Sequence, residues 1–269
     1  MLRSLWIAKT GMDAQQTSLD TISNNLANVS TTAYKRVRPI FEDLLYQNIR
    51  SPGLNEDSSS YVPAGLQAGN GARVAATQRI NSAGSLVQSQ NPLDMAINGN
   101  GFFAVSTANG VAYTRAGNFM RNDKGQIVTA SGNVLLGQSS VTSANATGIV
   151  IPSKATTVAI GTDGTVSYTL ADSSAPTQAD QIAMVNFVNP TGLAAAGGGL
   201  YYETMSSGEA QIGVAGKDGI GPISQFYTEQ SNVNVAEELV SLIAAQRAYE
   251  ITAKSVSASD QMLQKLGQL

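Results

Sequence analysis

Residues 1–30, MLRSLWIAKTGMDAQQTSLDTISNNLANVS, carry apolar or small side chains at Met1, Leu5, Ala8, Met12, Leu19, Ile22, Leu26 and Val29. The intervals alternate between four and three, with polar Gln15 in the one missing slot. The pattern is that of four helical heptads with one seam. The stretch has no proline, and Gly11 is its single glycine. Off the seam, Asp13, Gln16, Thr17, Ser23, Asn24, Asn25 and Asn28 are polar, so the stripe is narrow.

The other end of the chain has the same character. Over residues 235–269, Leu239, Leu242, Tyr249, Ala253, Val256 and Leu263 repeat at similar spacing, with Gln246 and Asp260 as polar breaks. Asn234 is placed to cap this helix, and Glu237 three residues later completes a capping box. Two narrow seams at opposite ends of one chain predict that the terminal helices pair.

Between them, residues 70–225 are punctuated by turn signals: Asn98-Gly99, Asn100-Gly101, Asn109-Gly110, Ser131-Gly132 and Asp163-Gly164. The intervening runs, such as Phe102-Phe103-Ala104-Val105 and Thr165-Val166-Ser167-Tyr168, are short and β-prone, which predicts an all-β domain. Residues 47–70 read as a long loop or extended arm. The expected fold class is α+β: N- and C-terminal helices forming a paired, coiled-coil-like stalk, with a central all-β domain. The expected division is 1–35 with 231–269 as a discontinuous helical domain, 36–75 with 215–230 as connecting arm and linker, and 76–214 as the β domain.

Composition narrows the chemistry. The 269-residue chain has no Cys and no His, a net charge of −3 and 13% charged residues, against about 25% in an average globular protein. Without His there is no imidazole base, and without Cys or His no ordinary zinc, haem or iron–sulfur site. The acidic balance argues against nucleic acid as a partner. Gly99-Asn100-Gly101-Phe102-Phe103-Ala104 fits a dinucleotide fingerprint, but a strand-like run follows it where a helix is needed. The carboxylate pairs Glu42-Asp43, Glu56-Asp57 and Glu237-Glu238 are sequence neighbours and diverge on helices. The Lys35-Arg36-Arg38 cluster is not extended by further basic or aromatic residues. No catalytic, cofactor or metal site is therefore expected. No run approaches the ~20 apolar residues of a membrane span. The four apolar residues before Lys9 fall short of the ~7–15 of a secretory signal. Cytoplasmic residence, or export by a route that reads no cleavable signal, is the expectation.

Two segments carry a resemblance. Residues Ser23 to Arg36 (SNNLANVSTTAYKR) resemble the N-terminal signature of bacterial flagellar rod and hook proteins. Residues Ser231 to Leu239 (SNVNVAEEL), with Gln246 to Glu250 (QRAYE), resemble their C-terminal signature. The signature positions are Asn24, Asn25, Asn28, Thr32 and Lys35, then Ser231, Asn232, Val233, Glu238, Gln246 and Arg247. Asn91 to Ile97, Gly101-Phe102-Phe103 and Tyr113 to Phe119 are similar to the family's β-domain core. Phe41 to Gln47 and the arm after it resemble the distal-rod branch. The sequence departs from the pattern at Ala33, where Gly is usual, at Tyr34, where Phe is usual, and over Gln225 to Gln230, where a Gly-containing turn is usual.

The resemblance implies a structural, non-enzymatic subunit of a hollow helical tube that links motor to hook. Such a tube is a heterologous, non-closing assembly. Its implied interface runs along Leu5, Met12, Leu19, Ile22, Leu26, Val29, Leu239, Leu242, Tyr249, Val256 and Leu263. Tyr46, Gln47, Pro52, Gly53 and Pro63 lie in the arm that would stiffen it. The implied partners are copies of itself, proximal rod proteins, the hook protein, the surrounding periplasmic and outer-membrane rings, and the flagellar type III export apparatus. Its place would be the periplasmic part of the basal body, reached without a cleavable signal. Marginal helices of this kind would order on assembly. The alternatives are a proximal rod or hook-like axial protein, and a cell-wall hydrolase, which the absence of His disfavours.

Overall fold

The computed structural model describes residues 2–50, 55–57, 60–61, 65–141, 148–171 and 175–266. The chain forms two compact units. The first contains Met1–Ala27, Val37–Arg79 and Asn234–Leu269, and the second Asn28–Arg36 and Ile80–Val233. The architecture is mixed α+β, with long helices at the ends and a β-rich centre.

In the first unit, the N-terminal helix (Leu2–Ala27) packs along the C-terminal helix (Val235–Leu266). Asn25 lies against Glu238, and a Cβ added at Gly11 would meet Thr252, so the two run antiparallel. Asn234 caps the C-terminal helix as expected, its Oδ1 accepting from the Ala236 N–H at 3.1 Å. Glu237 and Glu238 sit in the first turn, where the helix dipole favours negative charge.

The seam between the helices is built of small residues. Ala14, Ala245 and Ser259 are buried on it, and Leu242, Ala248, Thr252 and Val256 are half-buried. On the C-terminal helix the buried line therefore runs through 238, 245, 252 and 259, one residue before the polar breaks and apolar positions read from the sequence. Close backbone approach decides the contact face, and it selects Ala, Ser, Thr and Gly over the more hydrophobic Leu239 and Tyr249.

The described residues between 37 and 79 form a two-stranded ribbon. Strand β1 (Val37–Asp43) and β2 (Gln47–Arg50) lead out, then β3 (Asn55–Asp57), and β4 (Ser60–Tyr61), β5 (Leu66–Ala68) and β6 (Ala72–Arg79) return. β1 pairs with β6, β2 with β5 and β3 with β4, all antiparallel, and a bulge falls between Ile40 and Phe41. The expected loop over 47–70 is thus partly a paired ribbon. It shows no hydrophobic alternation because β2 is exposed along its whole length. The N-terminal helix holds the ribbon at its base. Arg3 donates to Gln47 Oε1 at 3.1 Å and to the Gly69 carbonyl at 3.0 Å. Gly71, at φ 108°, leaves no room for a side chain against Thr10.

The second unit is antiparallel β. Its strands are β7 (Leu86–Gln88), β8 (Met95–Ile97), β9 (Phe102–Thr107), β10 (Gly110–Thr114), β11 (Phe119–Arg121), β12 (Ile127–Thr129) and β13 (Val134–Leu135). There follow β14 (Ala155–Ile160), β15 (Thr165–Leu170), β16 (Thr177–Gln181), β17 (Met184–Asn186), β18 (Ala194–Gly197), β19 (Leu200–Tyr202), β20 (Gln211–Gly213), β21 (Ile223–Gln225) and β22 (Tyr227–Glu229). The main sheet runs β11-β12-β13-β9-β10-β19-β18, and β17 also joins β9 and β20. β14-β15-β16 form a second sheet, and β21 and β22 pair back onto β8 and β7. β9 divides two cores because successive strand residues face opposite ways. Phe103 packs edge-on to Phe119 at 5.4 Å in the larger core, with Met95, Ile127 and Ile182. Phe102 packs against Phe187 and Tyr201 in the smaller one. The Gly99–Ala104 fingerprint runs directly into β9, so it has no helix N-terminus with which to cradle a phosphate.

Candidate assembly surface

The side of the C-terminal helix away from the seam carries a second apolar stripe. Val240, Ile243, Ile251 and Met262 recur at near-helical spacing and are all exposed, Val240 at 68% and Ile251 at 63%. Val235, Leu239 and Tyr249 are also exposed, as is Trp6 on the N-terminal helix. A soluble helix normally turns such a face inward. Of the interface positions read from the sequence, Ile22 is buried, whereas Leu5, Met12, Leu19, Leu26, Val29, Leu242 and Val256 are half-buried. Val240, Ile243 and Ile251 are not among the interface positions expected from the sequence, because the leucine-containing spacing marks the opposite face of the helix. Tyr46 and Gln47 are exposed on the ribbon. Pro52, Gly53 and Pro63, and the side chain of Leu263, lie outside the described residues.

The signature residues divide between two clusters. In the first unit, the buried Asn25 amide clamps the start of β1. Its Nδ2 donates to the Val37 carbonyl at 2.8 Å, and its Oδ1 accepts from the Val37 N–H at 3.0 Å. The same Nδ2 reaches Glu238 Oε2 at 3.3 Å. An amide suits this position because it offers a donor and an acceptor to the N–H and C=O of one residue.

In the second unit, Lys35, Arg115 and Glu229 form a buried charge cluster. Lys35 Nζ donates to Glu229 Oε1 at 2.6 Å and to the Ser82 carbonyl at 2.8 Å. Arg115 Nε donates to Glu229 Oε2 at 3.0 Å, and its NH1 to the Gly99 and Gly101 carbonyls. The Gly84 N–H gives Glu229 Oε1 a further bond at 2.9 Å. Burial pushes the Glu229 carboxyl up, but Arg115 and Lys35, with their hydrogen bonds, outweigh it and hold the group below its ordinary range. Burial holds the Lys35 ammonium below its ordinary range despite the attraction of Glu229, and Arg115 adds to the lowering. Asn232 ties the same segments together. Its Oδ1 accepts from the Arg36 N–H at 2.7 Å, and its Nδ2 donates to the Ile80 carbonyl at 2.8 Å. Val233 is buried beside it in sequence, and Ser231 Oγ accepts from the Val233 N–H at 3.3 Å. Asn28 and Thr32 are half-buried, and Asn24, Gln246 and Arg247 exposed. Every titratable group in this cluster is engaged in holding backbone segments.

Comparison with known proteins agrees with that structural role. Three family models match: "Flagella basal body rod protein" over residues 5–35, "Flagellar hook protein FlgE/F/G D1 domain" over 96–168, and "Flagellar basal body rod FlgEFG protein C-terminal" over 224–269. The flagellar basal-body rod protein FlgG of Buchnera aphidicola from Acyrthosiphon pisum is 48% identical over the whole of both chains. This chain belongs to the FlgG family of flagellar basal-body rod proteins. The FlgG of Caulobacter vibrioides is 42% identical over 100% of this chain and 99% of its own, and that of Bacillus subtilis 37% over 99% and 98%.

Two departures from the rod-family pattern now have a local explanation. Ala33 adopts φ 56° and is buried, with its N–H donating to the Glu229 carbonyl at 2.8 Å. Phe226, within the Gln225–Gln230 stretch, adopts φ 65° between β21 and β22. Both residues occupy the left-handed region that glycine enters freely. The backbone keeps the turn while the side chain changes. Neither Arg115 nor Glu229 is identifiable as a partner of Lys35 from local spacing. Their pairing across 114 residues exists only in the folded β unit.

Proposed function

We propose that this chain is a structural, non-enzymatic subunit of the flagellar distal rod, polymerising into a hollow helical tube that transmits torque from motor to hook. The observation that carries the reading is the apolar stripe at Val240, Ile243, Ile251 and Met262, left in water on a helix whose other face is already packed. Burial of such a stripe between copies is worth about 25 cal/mol per Å² of apolar surface. Leu5, Met12, Leu19, Ile22, Leu26, Val29, Leu239, Leu242, Tyr249, Val256 and Leu263 complete the helical layer that lines the tube, as part of a terminal helical domain of residues 1–35 and 231–269. The ribbon within 36–75 braces neighbouring subunits, and the β domain forms the outer wall. The proximal rod, the hook, the surrounding rings and the export apparatus are its partners in the periplasmic part of the basal body. No helix among the described residues is long and apolar enough to cross a membrane.

Deleting residues 46–70 and imaging purified basal bodies tests this reading. A distal rod subunit so shortened gives a shaft that bends or fails to form. A straight, full-length shaft assigns the chain elsewhere in the axial structure.

A further inference from the structure

The buried charges of the β unit border a cavity of about 30 Å³, whose walls include Lys35, Asn81, Gly101, Phe102, Arg115 and Pro190. Lys35 and Arg115 face a single carboxylate, Glu229, so the buried cluster has one positive charge in excess. The Ser82, Gly99 and Gly101 carbonyls accept from these cations but carry no net charge. Donors outnumber acceptors as well. Lys35 has three N–H groups and two partners, Ser82 O and Glu229 Oε1. Four of the five Arg115 N–H groups are directed to Glu229, Gly99 and Gly101. The Asn81 Nδ2 is buried and has no hydrogen-bond partner among the described residues. Phe102 and Pro190 supply apolar wall.

We propose that this cavity binds one small monovalent anion, chloride, through N–H groups of Asn81, Lys35 and Arg115. A water molecule also fits the volume, but it leaves the excess charge uncompensated. An anion only accepts, and it neutralises the cluster. The bound anion ties residues 33–36 and 80–84 to the turn before β9, and so stabilises the segment through which the chain leaves the β unit at residue 36.

Crystals of the full chain grown in bromide and measured at the bromine absorption edge test the site. Thermal unfolding of the full chain in sodium chloride and in sodium gluconate at equal ionic strength tests its effect in solution. The expected results are an anomalous peak within hydrogen-bond distance of Asn81 Nδ2 and a saturable rise of the unfolding midpoint in chloride. Asn81→Asp, which supplies its own negative charge, loses that rise. A cavity holding water and no bromide overturns the proposal. So does a bromide peak with identical midpoints in the two salts, which marks binding at crystal concentration only.

Discussion

Asn25, at the end of the N-terminal helix, and Glu238, in the first turn of the C-terminal helix, meet through a 3.3 Å hydrogen bond although 213 residues separate them in sequence. Both side chains are almost wholly buried. The contact joins the two ends of the chain, and the same Asn25 amide also holds the first residue of β1.

Asn25→Ala removes the hydrogen bonds to Val37 and Glu238 and strands the Val37 N–H and C=O. Each buried polar group left without a partner costs about 1–3 kcal/mol. The expected loss is about 2 kcal/mol in the denaturant unfolding of the chain. Asn25→Asp keeps the size but replaces the donor to Val37 with an acceptor beside Glu238, and its loss is at least as large.

Glu229→Gln leaves Lys35 and Arg115 buried without their carboxylate partner. Breaking a buried ion pair in this way costs about 3–5 kcal/mol. The wild-type carboxyl titrates below its unfolded value, so the unfolded state binds the proton first on acidification. Its contribution is complete above the unfolded carboxylate pKa of about 4.3 and is lost as pH falls through the lower folded value. Stability profiles of wild type and Glu229→Gln therefore differ at neutral pH and converge in acid. A constant gap down to the lowest pH measured contradicts this origin of the effect.

The left-handed backbone at Ala33 predicts a ranked series. Ala33→Gly relieves strain of about 1–2 kcal/mol but loses a buried methyl worth about 0.8 kcal/mol and adds backbone entropy to the unfolded chain. The three nearly offset, and its unfolding midpoint stays close to wild type. Ala33→Val places a β-branched residue where it is an outlier, and loses about 2 kcal/mol or more.

Val240→Glu combined with Ile251→Glu changes exposed positions only. Surface substitutions of this kind stay within about 0.5 kcal/mol, so the monomer unfolds as wild type does. Sedimentation of the assembled material is expected to show loss of polymer. Loss of both fold and polymer would make the stripe part of the monomer's own core.

The features written in local sequence were the ones legible beforehand. Asn234 announced its helix by chemistry that acts over two residues, and the Asn-Gly and Asp-Gly turns marked β9, β10 and β15. Both long helices followed from spacing. The seam between them was displaced by one position, because Ala245, Thr252 and Ser259 give a weak hydrophobic signal yet allow the closest approach. The 47–50 and 66–68 pairing was hidden because a ribbon wet on both faces has no alternation. The Lys35–Glu229–Arg115 cluster was hidden for a different reason. Three segments far apart in the chain supply its charges, and only the signature residue Lys35 pointed towards it.

Copies of this chain are expected to meet through the outer faces of their terminal helices. Electron cryo-microscopy of the assembled rod at side-chain resolution measures this directly. The expected result is the helices on the inside of the tube, with Val240, Ile243 and Ile251 buried between neighbouring subunits. A tube held together by its β domains, with those three side chains facing solvent, contradicts it.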